Sequence, residues 1–275
     1  MATGRTRTTA RPAAASDRGP RVAVRCADRQ VRLEIGLGHE VLWSDVWPIE
    51  VVRDGRRAVP RSSWEESIRI SDDRVDYLEL ASRFDGGLCV ERQILLARED
   101  RFLLLADVLL ARGPAKLEYR SRLPLGPTTR FDESEEGREG FLAGRRRWGR
   151  VLPLALPECR AGACSGSLQR TEHGLELAQS SDGRGLFAPL FVDLDPRRFR
   201  RPLTWRRLTV AENLAAQPAD VAAGFRVQIG GEQWLIYRSL AAKANRSLLG
   251  HNLSSEMLVA RFQRNGEVDP LVETE

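Results

Sequence analysis

Proton transfer near neutral pH falls first to imidazole, and this chain has only three histidines, His39, His173 and His251. His39 follows Gly36-Leu37-Gly38 and His173 precedes Gly174, both turn settings. His251 lies in Asn245 to Glu256, a stretch that gathers amide, guanidinium, imidazole and carboxylate groups between two strand-like segments. It is the histidine best placed for a functional role, since loops on rigid sheets carry function disproportionately. Guanidinium is far more plentiful. Arg145, Arg146, Arg147 and Arg150 surround Trp148, just after the acidic run Asp132 to Glu136, and Arg197, Arg198, Arg200, Arg201, Arg206 and Arg207 surround Phe199 and Trp205. Two clusters that mix arginine with tryptophan suit an anionic ligand, because the planar fork of arginine matches carboxylate and sulfate groups.

Other chemistries lack their motifs. There is no glycine-rich phosphate loop, no HExxH, no GxSxG and no paired CxxC, so nucleotide, zinc-protease and serine-hydrolase readings drop out and no cofactor or metal is expected. Cys26, Cys89, Cys159 and Cys164 are too widely spread for a disulfide scaffold and read as free thiols.

The elements that must position these groups are strands. Residues 75–123 set the pattern. Ile94-Leu95-Leu96 and the run from Phe102 to Leu110 flank Arg98 to Arg101, a length that suits a hairpin. Centring the turn between Glu99 and Asp100 places Leu96 opposite Leu103, Ile94 opposite Leu105, and Arg92 opposite Asp107. Asp107 interrupts the apolar run LLLADVLL, and a buried carboxylate is tolerated when it is paired and hydrogen-bonded, so Arg92 is its expected partner. A second turn is read at Arg112-Gly113-Pro114, which sets Glu118 opposite Asp107, Arg120 opposite Leu105, Arg122 opposite Leu103 and Lys116 opposite Leu109. On that reading Phe102, Leu104, Ala106, Val108, Leu110, Leu95, Leu117, Tyr119 and Leu123 share the core face. Arg120 and Arg122 join the other face, apolar in its middle and charged at one side.

Short alternating segments continue on both sides of this meander, with Gly230-Gly231 a further hairpin turn and only residues 220–224 and 241–249 offering short helical candidates. With no βαβ alternation and no repeat near 40 residues, the fold class is all-β, a large antiparallel multi-stranded β-sandwich over residues 21–275.

Net charge is +5, yet residues 1–21 hold five arginines against one acid, Asp17, so the remainder is nearly neutral. A general nucleic-acid binder is therefore disfavoured. Residues 1–20 read as a disordered basic tail. With no signal-like apolar stretch and no membrane-spanning run, cytoplasmic is the default location.

The meander VERQILLAREDRFLLLADVLLARGPAKLEYRSRLPL, followed by a long series of strands, resembles the C-terminal β-sandwich of heparinase II/III-like polysaccharide lyases. The resemblance covers roughly residues 22–275 and rests on pattern and order. It implies a sandwich that packs beside a helical toroid, with β-elimination on acidic polysaccharides in the cleft between them. This sequence has no counterpart of the toroid, so no catalytic residue carries over. The expectation is an accessory, non-catalytic module that binds an acidic polysaccharide or a helical partner chain, with no nucleic acid and no membrane as partner. Arg120, Arg122, Arg146, Trp148, Trp205 and Arg206 are its candidate ligand-binding residues, the indoles stacking on sugar rings. The alternatives are a polysaccharide lyase with His251 or Tyr237 as base, and a structural interaction domain without ligand.

Overall fold

A computed structural model describes residues 19–161 and 164–275. The tail expected over residues 1–20 falls, up to residue 18, outside the described residues. Among those described, 23 strands form a three-stranded, an eleven-stranded, a five-stranded and a four-stranded sheet, and 67% of residues are strand against 2% helix. The fold is the all-β antiparallel sandwich that the alternation predicted. Both short helical candidates run into strands instead, Ala222–Ile229 and Arg246–Leu248.

Leu88–Ala97 and Phe102–Leu123 make the expected hairpin in the expected register, with Leu96 opposite Leu103, Ile94 opposite Leu105 and Arg92 opposite Asp107. Alternate residues point to opposite faces, and here both faces are covered. Ile94, Leu96, Leu103, Leu105 and Leu109 enter one core. Leu95, Phe102, Leu104, Ala106 and Val108 enter another. A strand buried on both sides reads as a continuous apolar run, which is why LLLADVLL does not alternate.

The second expected hairpin is corrected. The strand continues through Arg112-Gly113-Pro114 to Leu123, and Gly174–Asp193 pairs with it from Phe102–Asp193 to Leu123–Leu175, broken only between Gly183 and Gly185. Glu118 therefore faces Ser180, Arg120 faces Ala178, Arg122 faces Glu176 and Lys116 faces Asp182. Yet the Tyr119 hydroxyl donates to Asp107 Oδ2 at 2.7 Å, 12 residues away on the same strand. In a straight strand their Cα atoms would lie about 40 Å apart, so the two-stranded ribbon must fold over near Gly113-Pro114. What looks like a turn in the sequence is the bend by which one ribbon passes from one layer to the next, as strands do at sandwich corners. Parity survives the bend, so Leu117, Tyr119 and Leu123 join the core of Leu103 and Leu105, not that of Phe102 and Leu104.

The outer layer beyond the bend includes the three-stranded sheet Pro20–Ala27, Gln30–Leu37 and Glu40–Val46. It supplies Val31, Leu33 and Ile35 to the same core. On the central sheet's other face, the five-stranded sheet contributes Phe225, Trp234, Ile236 and Val259. Its far face, with Tyr237 and Leu258, is covered by Val210, Leu248 and Leu253 of the four-stranded sheet. No helix among the described residues is long and apolar enough to cross a membrane.

Arg92 and Asp107 are both 0% exposed. Arg92 Nε and Nη2 reach Asp107 Oδ1 and Oδ2 at 2.8 and 3.0 Å, and Nη1 donates to Trp47 O at 2.6 Å. The guanidinium lies 3.8 Å from the Trp47 ring centroid, and Trp47 Nε1 donates to Ser121 Oγ at 2.6 Å. Trp47 is thus the lid on this ion pair. Burial, and then the Asp107 charge, raise the Tyr119 phenol well above its ordinary value, so it remains a donor.

Candidate functional site

One register row of the central sheet runs Val75, Ala97, Phe102, Asp193, Arg150, Phe141, Asp132. Cross-strand partners share a face, so this is the face that the five-stranded sheet covers. Its first three residues are buried in that core. From Asp193 onward the row turns polar and then aromatic, and ends in a shelf on Arg130–Glu133, Gly140–Ala143 and Arg147–Pro153.

Two local features build the shelf. The register shifts between Leu142 and Ala143, and this irregularity lets Arg147 and Arg150 share a face although a regular strand would point them apart. Their guanidinium carbons lie 4.0 and 5.3 Å from the Phe141 centroid. The short 3-10 turn Pro196–Arg198 then docks on the row. Asp195 accepts from Arg197 N at 3.0 Å and starts the turn. Arg198 Nε bonds Asp193 Oδ1 at 2.9 Å, and Phe199 sets its ring edge-on to Phe141, centroids 5.4 Å apart. Phe141 and Phe199 are half-buried and Arg147 is exposed. Beneath them Arg150 is 4% exposed, with Nη2 donating to Arg198 O at 2.7 Å. Burial lowers the Arg150 guanidinium from its ordinary value, while Asp193 pulls the other way.

Arg130 is matched on the shelf by Asp132 at 2.8 Å. No ion pair engages Arg147 or Arg150 among the described residues. Aromatic edges beside unmatched guanidinium groups can hold a ring that carries an anionic substituent.

The arginine-rich segments expected to bind ligand do meet here, but through different aromatics. Trp148 and Trp205 are 7% and 3% exposed, and the Trp205 indole donates to Leu156 O at 2.9 Å. The register shift beside Ala143 turns the Trp148 ring into the core with Leu142, and strand parity turns the Trp205 ring into the core with Val227, which corrects their reading as sugar-stacking platforms. Arg146 lies 4.3 Å from the Trp148 ring centroid on the turn beside Arg147, and Arg206 is exposed, 3.7 Å from Glu158. Arg120 and Arg122 lie elsewhere, beyond the bend of the long ribbon, where Glu176 engages both at 3.4 and 3.3 Å. Tyr237 is 0% exposed, and its hydroxyl accepts from Arg246 Nη1 at 3.3 Å. Burial under the four-stranded sheet removes it as a base for an external polymer. His251 is half-buried with its ring edge-on to Phe262, 6.1 Å between centroids. Phe141 and Phe199 were missed. The signal for Phe199 was its place between Arg198 and Arg200, whereas Phe141 becomes visible only through the register that sets it opposite Arg150.

A concavity of about 310 Å³ opens on the three-stranded sheet, lined in part by Arg25, Arg32, Glu34 and Asp45. Its charges balance, and Arg32 already bonds Asp45 at 2.5 Å. The four cysteines are free. Among the described residues no group of three or more His, Cys, Asp or Glu side chains is arranged to hold a metal ion.

No family model matches the sequence, and no curated protein matches it. Solved structures do match. A mutant of heparan sulfate lyase HepC from Pedobacter heparinus superposes with a TM-score of 0.50 at 12% identity, over 80% of this chain and 41% of that one. HepC itself gives 0.48 at 12% identity, over 77% and 36%, and a heparinase III gene product gives 0.48 at 7% identity, over 76% and 36%. The fold is a heparinase-like β-domain, and the chain spans about 41% of the HepC mutant's length.

Proposed function

We propose that this chain is a heparinase-like β-sandwich module that binds an acidic polysaccharide without cleaving it, with the Phe141–Phe199 shelf as the seat for the glycan. One observation carries the reading: two half-buried rings in edge contact sit beside Arg147 and Arg150, neither of them engaged by an acid among the described residues. Aromatic faces suit the apolar faces of sugar rings, and guanidinium forks suit their carboxylate and sulfate groups. The fold shared with a heparan sulfate lyase points to the same class of polymer. Cleavage needs a base at the substrate, and the shelf holds neither histidine nor tyrosine.

Retention on a heparin matrix tests this. Retention should fall steeply with salt, and Phe141→Ala combined with Arg147→Ala should lower the eluting salt concentration more than Arg206→Ala. Equal shifts would reduce the binding to net charge. Unsaturated-product absorbance from the purified chain alone would overturn the non-catalytic part.

A further inference from the structure

Arg150 and Asp193 are direct cross-strand partners, 4% and 0% exposed, and opposite in charge, yet they form no ion pair. Each keeps an enclosed atom without a hydrogen-bond partner, Nε on Arg150 and Oδ2 on Asp193. The contrast with Arg92 and Asp107, a cross-strand pair of the same composition that closes on itself, shows that register does not forbid such a bond. Arg150 is instead drawn toward the shelf by Arg198 O and by the Phe141 and Phe199 rings, 5.3 and 5.9 Å away. Asp193 is occupied on one oxygen only, by Arg198 Nε and Nη2 at 2.9 and 2.6 Å and by the Asp195 backbone N–H at 3.0 Å.

We propose that Arg150 is the group through which the shelf selects anionic glycans, held for a ligand carboxylate or sulfate, and that Asp193 is its internal competitor, so that neutralising Asp193 tightens binding. This rests on the glycan-binding reading above. Charged groups face Arg150 from every side. Asp193 adjoins it from Gly174–Asp193, Arg198 from the 3-10 turn, and Arg147 from its own strand; Glu139 acts on it from the residue before Gly140. Asp132, paired with Arg130, ends the same row beyond Phe141, and Glu232 of the five-stranded sheet reaches Arg198 at 3.5 Å. Of these, Asp193 alone is an acid wholly enclosed beside Arg150. Burial lifts its carboxyl above the ordinary aspartate value, with Arg198 opposing.

Calorimetric titration with a sulfated dextran oligosaccharide, whose sulfates stay ionised from pH 5 to 7, separates the possibilities. Arg150→Lys, which keeps the charge and loses the fork, should weaken binding at least tenfold, and Asp193→Asn should tighten it at least threefold. Any tightening of wild type as pH falls should be absent in Asp193→Asn. If Asp193→Asn fails to fold, judged by circular dichroism, Asp193→Ser decides: tighter binding than wild type supports the proposal, and unchanged or weaker binding overturns it. Binding that Phe141→Ala weakens, but that Arg150→Lys and Asp193→Asn leave within twofold, overturns this inference and leaves the binding module standing. No binding by wild type at all rejects the module reading itself.

Discussion

Three consecutive residues, Glu91, Arg92 and Gln93, serve two buried polar centres of opposite character. Arg92 points into the core below the outer layer and meets one carboxylate, Asp107, with all three of its nitrogens bonded. Glu91 and Gln93 point the other way, toward Arg238 of the five-stranded sheet. There, three carboxylates gather near a single guanidinium. Glu91 bonds Arg238 Nη2, while Glu79 and Glu256 lie 4.0 and 3.7 Å from Nη1. Arg238 Nε and Nη1 and Gln93 Oε1 are enclosed without hydrogen-bond partners. Register within one sheet dictates the first centre, and the contact between two sheets assembles the second. A ladder sets donor and acceptor opposite each other residue by residue, whereas sheet-on-sheet packing aligns them only as closely as the apolar side chains permit.

The comparison breaks most easily at the closed centre. Arg92→Ala should cost about 3–5 kcal/mol, because it strands a buried carboxylate; urea denaturation showing a loss below about 1 kcal/mol would mean that the pair is exposed in solution. Tyr119→Phe removes one donor to the same carboxylate and should cost about 1.5–3 kcal/mol, the range for a hydrogen bond to a charged group. A neutral result would show that the Arg92 fork alone satisfies Asp107.

The open centre should respond weakly and with a pH signature. Burial raises Glu91 from its ordinary value of 4.5, the Arg238 charge opposing. A carboxyl raised on folding holds its proton more tightly in the native state, so its contribution is complete below about pH 4.5 and is lost as pH rises through the folded value. Glu91→Gln should therefore change stability at neutral pH by less than about 1 kcal/mol, and should flatten any decline in melting temperature as pH rises above 4.5. A loss like that of Arg92→Ala would erase the distinction between the two centres.

The same distinction explains what the sequence made legible. Arg92 and Asp107 were readable as partners because a hairpin of known length fixes its register, and the all-β class followed from alternation. The bend at Gly113-Pro114 was misread because Arg-Gly-Pro carries the chemistry of a turn, and nothing local reports a second strand, Gly174–Asp193, that bends alongside it. Proline is tolerated there because the ladder is interrupted opposite it, between Gly183 and Gly185. Trp148 and Trp205 were misplaced for a related reason. Their neighbours are charged, but alternation for Trp205 and the register shift beside Ala143 for Trp148 decide which way each ring points, and each fell on a covered side.

The shared ribbon also has a consequence for how the chain is made. On the edge away from the hairpin Phe102 finds its partner at Asp193 and Leu123 at Leu175, so during synthesis the first of these strands must wait, that edge unpaired, while some fifty to ninety further residues emerge. An apolar strand with an open edge is a template for misassembly between nascent chains. A ribosome stalled before residue 174 should therefore present an aggregation-prone intermediate, and one stalled well past residue 193 should not.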